Sequence, residues 1–189
     1  YLPKLIAAAE KNGQVSGLLT NGVKFADAEY MNLLLNQGLD HLMLVLDPQV
    51  EACWEAIANL MPEDIHVTVH LTLDREDFEY YTDILANLYE QDVDTLSLSA
   101  TSDDLKELLQ QINEHAISQG FQIIWDLPVP YSSINPVELE LEEDELRAQG
   151  KAWLYVEPDG DVLQAQGQTD VLGNILTGDW DEIWAKARA

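Results

Sequence analysis

The chain has 189 residues, enough for one domain or one domain with a small appendage. Its 47% hydrophobic and 23% charged residues are an ordinary globular mixture, which excludes a disordered tail and a collagen-like fibre. Its 35 Asp and Glu against 9 Lys and Arg give a formal net charge of −26, which speaks against nucleic-acid binding and against an anionic membrane surface.

The charge reads either as a solvated acidic surface or as provision for a basic partner or a cation. No apolar run approaches the roughly 20 residues of a membrane helix, and the opening Tyr1-Leu2-Pro3-Lys4 carries no signal-like core. The single cysteine, Cys53, allows no internal disulfide and cannot alone hold zinc or an iron–sulfur cluster. A cytoplasmic, reducing setting is the simplest expectation.

Residues 1–12 read as the end of a helix with Leu2, Leu5, Ile6 and Ala9 on its apolar side, stopped by Asn12-Gly13. Residues 15–20 read as a strand, turned by Asn21-Gly22. Residues 27–37 read as a helix with Tyr30, Leu33 and Leu34 on its apolar face, closed by Gly38. A strand is expected over 41–46, then a helix over 48–60 opened by Pro48, with Asp47 as a good N-cap. Residues 66–73 form the clearest strand pattern, and Asp74 is positioned to cap a helix running to about Tyr89. Residues 95–100 read as a strand, Ser102 or Asp103 caps a helix reaching Gln119, and 121–127 read as the fifth strand. A βα unit of roughly 25–29 residues thus recurs, which implies a parallel sheet with right-handed crossovers, of barrel type or doubly wound.

After Leu127 the pattern changes. Pro128, Pro130 and Pro136 mark a loop, and 138–146 is a dense acidic run. Residues 151–157 and 161–166 flank Pro158-Asp159-Gly160, a hairpin signal, and 180–187 read as an amphipathic helix capped by Asp179. The expected organisation is an α/β body over 1–137 and a small module over 138–189.

The strands alternate rather than running continuously apolar. Val67, Val69, Leu71 and Leu73 oppose His66, Thr68, His70 and Thr72. Leu96, Leu98 and Ala100 oppose Thr95, Ser97, Ser99 and Thr101, and Leu42, Leu44 and Leu46 oppose His41, Met43, Val45 and Asp47. In the fifth strand Ile123, Trp125 and Leu127 oppose Gln122, Ile124 and Asp126. The helices require the apolar face. The polar face either lines a chamber for a polar ligand or is simply covered. Ligand sites in α/β folds gather at the C-terminal strand ends, here Thr20-Asn21-Gly22, Asp47, His70, Thr72, Asp74, Ser99, Thr101, Asp126 and Tyr131. His66 and His70 share one face, as a hydrogen-bonded structural pair or a two-ligand metal site.

Several segments resemble the radical S-adenosylmethionine (radical SAM) enzymes that carry a SPASM- or twitch-type C-terminal appendage. Leu18-Leu19-Thr20-Asn21-Gly22 resembles the family's third-strand "TNG" segment. Gly38-Leu39-Asp40 with residues 42–47 resembles the next strand, and residues 64–73 resemble the fifth. Residues 153–162 resemble the appendage hairpin, and Leu172-Gly173-Asn174-Ile175 with Trp180–Trp184 resembles its closing segment. The resemblance implies the later strands of a partial (β/α)6 barrel, with S-adenosylmethionine and a 4Fe–4S cluster as the family's cofactors and a small molecule or peptide as substrate. It implies cofactor contacts at Asn21, His70, Thr72 and Asp126.

The departures are equally definite. C-x-x-x-C-x-x-C and G-G-E are absent, and Gln164-Ala165 stands where the appendage would carry Pro-Cys. The expectation is a chain beginning just beyond both motifs, with no cluster of its own. Its first strand edge is then open to a second copy or to a missing N-terminal segment. Alternatives are a non-catalytic barrel-like binding protein or partner subunit, and a cofactor-independent enzyme using His66, His70 and Asp126 as acids and bases.

Overall fold

The computed structural model describes residues 1–124, 154–157, 159–164 and 169–188. The chain divides into two compact units, Tyr1–Glu138 and Leu139–Ala189.

In the first unit α1 (Leu2–Lys11) leads to β1 (Gly17–Thr20), a 3-10 turn (Val23–Ala26) and α2 (Ala28–Leu35). β2 (His41–Leu46), α3 (Glu51–Leu60), β3 (His66–Leu73), α4 (Phe78–Glu90) and β4 (Thr95–Ala100) follow. A second 3-10 turn (Asp103–Leu105) opens into α5 (Lys106–Gln119), and β5 (Gln122–Ile123) completes the set. All neighbouring strands pair in parallel, in the order β1-β2-β3-β4-β5.

That order has a direct consequence. Each crossover moves one strand in the same direction, so crossovers of one hand deliver every helix to the same face. The core agrees. Ile6 from α1, Leu34 from α2, Ile57 from α3, Leu85 from α4 and Ile112 from α5 join one cluster with Leu44, Val69, Leu71 and Leu98 from the strands. Full burial of a leucine-sized side chain contributes about 1.5–3 kcal/mol, so this single apolar face carries much of the unit's stability. The predicted alternation in β2, β3 and β4 therefore sorts as expected, with leucines and valines toward the helices.

Several helix starts differ from the sequence reading. α4 begins at Phe78, capped by Asp77, whose side chain accepts from Tyr80 N. Asp74 instead ends β3 in a local knot: the Tyr81 hydroxyl donates to Asp74 Oδ1 at 2.9 Å and accepts from the backbone N–H groups of Asp74 and Arg75. Arg75 clamps the same carboxylate at 2.8 and 3.1 Å and lies over the Tyr80 ring. α3 begins at Glu51 rather than at Pro48, and Asp47 accepts from Gln49 N in the turn before it. In α2 the buried residues are Met31 and Leu34, while Leu33 is exposed. The 3-10 turn after β1 seats Phe25 in the core and places Gly22 at φ 76°. There a Cβ would meet Leu44 Cδ1 at 2.6 Å, so only glycine fits.

In the second unit β6 (Tyr155–Val156), β7 (Asp161–Leu163) and β8 (Gly173–Asn174) form an antiparallel sheet, followed by α6 (Trp180–Ala187). Asp179 caps α6 as predicted, accepting from Asp181 N and Glu182 N. Ile183 is buried, and Trp180 stacks on Trp184. The predicted loop over 128–137 and the acidic run over 138–146 lie outside the described residues. No helix among the described residues is long and apolar enough to cross a membrane.

Candidate functional site

The helix-free face of the parallel sheet carries the polar chemistry. Thr68, His70, Thr95, Ser97 and Ser99 are all buried there. Buried polar groups are costly unless hydrogen-bonded, and β3 and β4 meet that demand by register. His70 pairs with Ser97, and Thr72 pairs with Ser99. The alternating pleat then points these four side chains the same way.

His70 is fully buried, and three hydroxyls surround its ring. Nδ1 lies 2.9 Å from Ser97 Oγ, and Nε2 lies 2.9 Å from Ser99 Oγ and 3.1 Å from Thr72 Oγ1. Ser99 in turn donates to Thr72 Oγ1 at 3.3 Å. In either tautomer of the neutral ring both nitrogens therefore face hydroxyls, Nδ1 toward Ser97 and Nε2 toward Ser99 and Thr72. Burial pushes the His70 pKa down from 6.5 to about 4, because the charged imidazolium is disfavoured away from water. At neutral pH His70 is uncharged with both nitrogens occupied. It orients hydroxyls, and it is unsuited to ligating a metal or to acid–base work.

The other predicted residues distribute unevenly. Asn21 lies just past β1, exposed, with its Oδ1 accepting from Val23 N at 3.4 Å in a turn. By register it stands level with Val45, which pairs with His70, so Asn21 and His70 are two strand spacings apart, about 10 Å. Thr72 is half-buried two residues beyond His70. Thr101 Oγ1 donates to the Leu73 carbonyl, which ties off the end of β4. Asp126 and Tyr131 lie outside the described residues.

His66 and His70 do share a face, but they do not form the predicted hydrogen-bonded pair. Their partners differ, and His66 meets His41 instead, edge to face at 5.6 Å between ring centroids. A cleft of about 440 Å³ opens here, lined by Gly17, Leu19, His41, Met43, His66 and Thr68 among others. Gly17, His41 and His66 are paired first residues of their strands, so this cleft is at the N-terminal strand ends, opposite to where the sequence reading looks. Alternation within each strand puts His41 and His66 on the polar face. The register that sets them side by side is the part single-strand patterns do not contain.

Cys53 is buried on α3, and its Sγ donates to the Asn21 carbonyl at 3.2 Å. It is committed to packing and is the sole thiol of the chain, so the residues present do not fit a 4Fe–4S cluster. Among the described residues no group of three or more His, Cys, Asp and Glu side chains gathers for a metal. No family model matches the chain, and no curated protein matches it.

Proposed function

We propose that this chain forms the later part of a radical SAM-type partial (β/α) barrel followed by a cluster-free appendage, and that its polar sheet face is one wall of a ligand chamber. The observation that carries this reading is the sequential parallel order β1-β2-β3-β4-β5 with one apolar, helix-covered face. A doubly wound sheet reverses its order and sends helices to both sides, whereas a barrel winds in one direction. The hydroxyl-held, neutral His70 adds support, because its contact with Thr72 Oγ1 holds that hydroxyl in place at the C-terminal end of β3. In this role Thr72 and Asn21 face the ligand, His70 positions Thr72, and Asp126 completes the set carried over by resemblance.

The chain's single buried thiol favours a non-catalytic part as the second reading: a binding wall or partner subunit whose chemistry is supplied by another segment. Acid–base catalysis by His70 is disfavoured by its depressed pKa and occupied nitrogens.

The test has two arms. The coding sequence preceding Tyr1 should specify C-x-x-x-C-x-x-C and G-G-E. Anaerobic reconstitution of the present chain with iron and sulfide should leave no stoichiometric cluster and yield no 5′-deoxyadenosine from S-adenosylmethionine. A stable cluster giving product from this chain alone, or a complete upstream sequence without either motif, would overturn the reading.

A further inference from the structure

We infer that the cleft at the N-terminal ends of β1, β2 and β3 is a soft-cation site in which His41, His66 and Met43 bind monovalent copper. All three residues line one cleft, His41 and His66 exposed and Met43 buried in its wall. His41 and Met43 are two residues apart on β2 and therefore share a face, and register sets His66 beside His41. Gly17 completes the row with no side chain, leaving the space in front of the two imidazoles open on the β1 side.

The spacing suits a shared ion. A metal–nitrogen bond of about 2.0–2.1 Å places the ion about 3.2 Å from an imidazole centroid. Two centroids 5.6 Å apart then subtend about 120° at the ion, the angle of a three-coordinate centre. The rings now meet edge to face. Both residues are exposed, so turning a nitrogen of each toward a common point needs only rotation about their broad terminal torsions. The third donor is a thioether, and soft sulfur ligands select monovalent copper over harder divalent ions. A net charge of −26 raises the local concentration of any cation. His70, at the far end of the same face, has both nitrogens occupied, and the chain's one thiol, Cys53, is buried with its Sγ donating to the Asn21 carbonyl.

The experiment is an anaerobic titration of the full chain with Cu(I) against a colour-forming Cu(I) chelator, repeated with Zn(II) and its own indicator. One equivalent of Cu(I) is expected. The double variant His41→Gln/His66→Gln should weaken it by about 100-fold or more, since loss of even an outer-shell partner costs about 10–100-fold. Met43→Leu should weaken Cu(I) by about tenfold while leaving Zn(II) nearly unchanged. Cys53→Ser should keep the equivalent. Far-ultraviolet circular dichroism checks that each variant folds, and the single variants His41→Gln and His66→Gln replace the double one if it does not. Absence of binding, an equivalent that survives loss of the histidines, one lost with Cys53, or equal weakening of both metals by Met43→Leu would each overturn the assignment.

Discussion

His70 makes the pH dependence of stability calculable. Its folded pKa is about 4 against 6.5 for the free imidazole. Between those values the unfolded chain binds a proton that the folded chain refuses, so stability rises with pH and falls on acidification. Above pH 6.5 the contribution is fully present. At pH 5 the unfolded imidazole is almost wholly protonated and the buried one is about nine-tenths neutral, which costs the folded state about 2 kcal/mol. The loss grows to about 3 kcal/mol by pH 4. Other groups also titrate in this range, so the informative quantity is a difference. Urea unfolding of the native chain and of His70→Gln, measured at several pH values from 7 to 5, should give profiles that diverge, the native chain losing about 2 kcal/mol more than the variant. Proton NMR of the His70 ring should show no titration above about pH 5. A ring that titrates near 6.5, or two parallel profiles, would refute the account of His70 as a buried, neutral organiser of hydroxyls.

Two further outcomes follow from the same geometry. Tyr81→Phe removes the oxygen that accepts from the backbone N–H groups of Asp74 and Arg75. Leaving partly buried donors unpaired should lower unfolding free energy by about 1–3 kcal/mol with an unchanged urea slope, and a change under about 0.5 kcal/mol would remove the knot at the end of β3 from the list of stabilising features. The net charge is −26, and among the described residues only one ion pair forms, Arg75 with Asp74, so most of the acidic groups have no cationic side chain against them. Screening shortens from about 10 Å at 0.1 M salt to about 3 Å at 1 M, so the melting temperature should climb with NaCl over that range. A flat curve would mean that the acidic groups are already locally compensated.

The strands β3 and β4 were legible to the residue because each alternates apolar with polar groups over six or more positions, and a slip of one would bury the wrong face; β2 was legible as a short apolar run between Asp40 and Pro48. Helix starts were less legible. Asp74 and Asp77 are both adequate caps in isolation, and what separates them is Tyr81, one helical turn into α4, whose hydroxyl reaches back to claim Asp74. The same holds for Leu33 and Met31. Both suit an apolar helix face, and which of them faces inward is set by how α2 lies on the sheet, which buries Met31 and Leu34 and leaves Leu33 exposed. β8 is two residues long, too short for periodicity to register, and the sequence reading contains no strand there. Of the candidate site, the polar face was readable from alternation alone. Which polar groups touch was not, because His70 with Ser97 and His41 with His66 are products of inter-strand register.

That register also divides the face into two chemically distinct zones. His66 and His70 are four residues apart on β3, about 13 Å along the strand. At the N-terminal end two exposed imidazoles flank an open cleft. At the C-terminal end a buried imidazole has spent both nitrogens on hydroxyls, and its effect emerges through Thr72. Perturbations separated by more than about 7–10 Å with no shared partners usually act additively. Copper binding at His41 and His66 and acid destabilisation through His70 therefore report on separate places. The failure of either leaves the other standing, and neither depends on the barrel being closed.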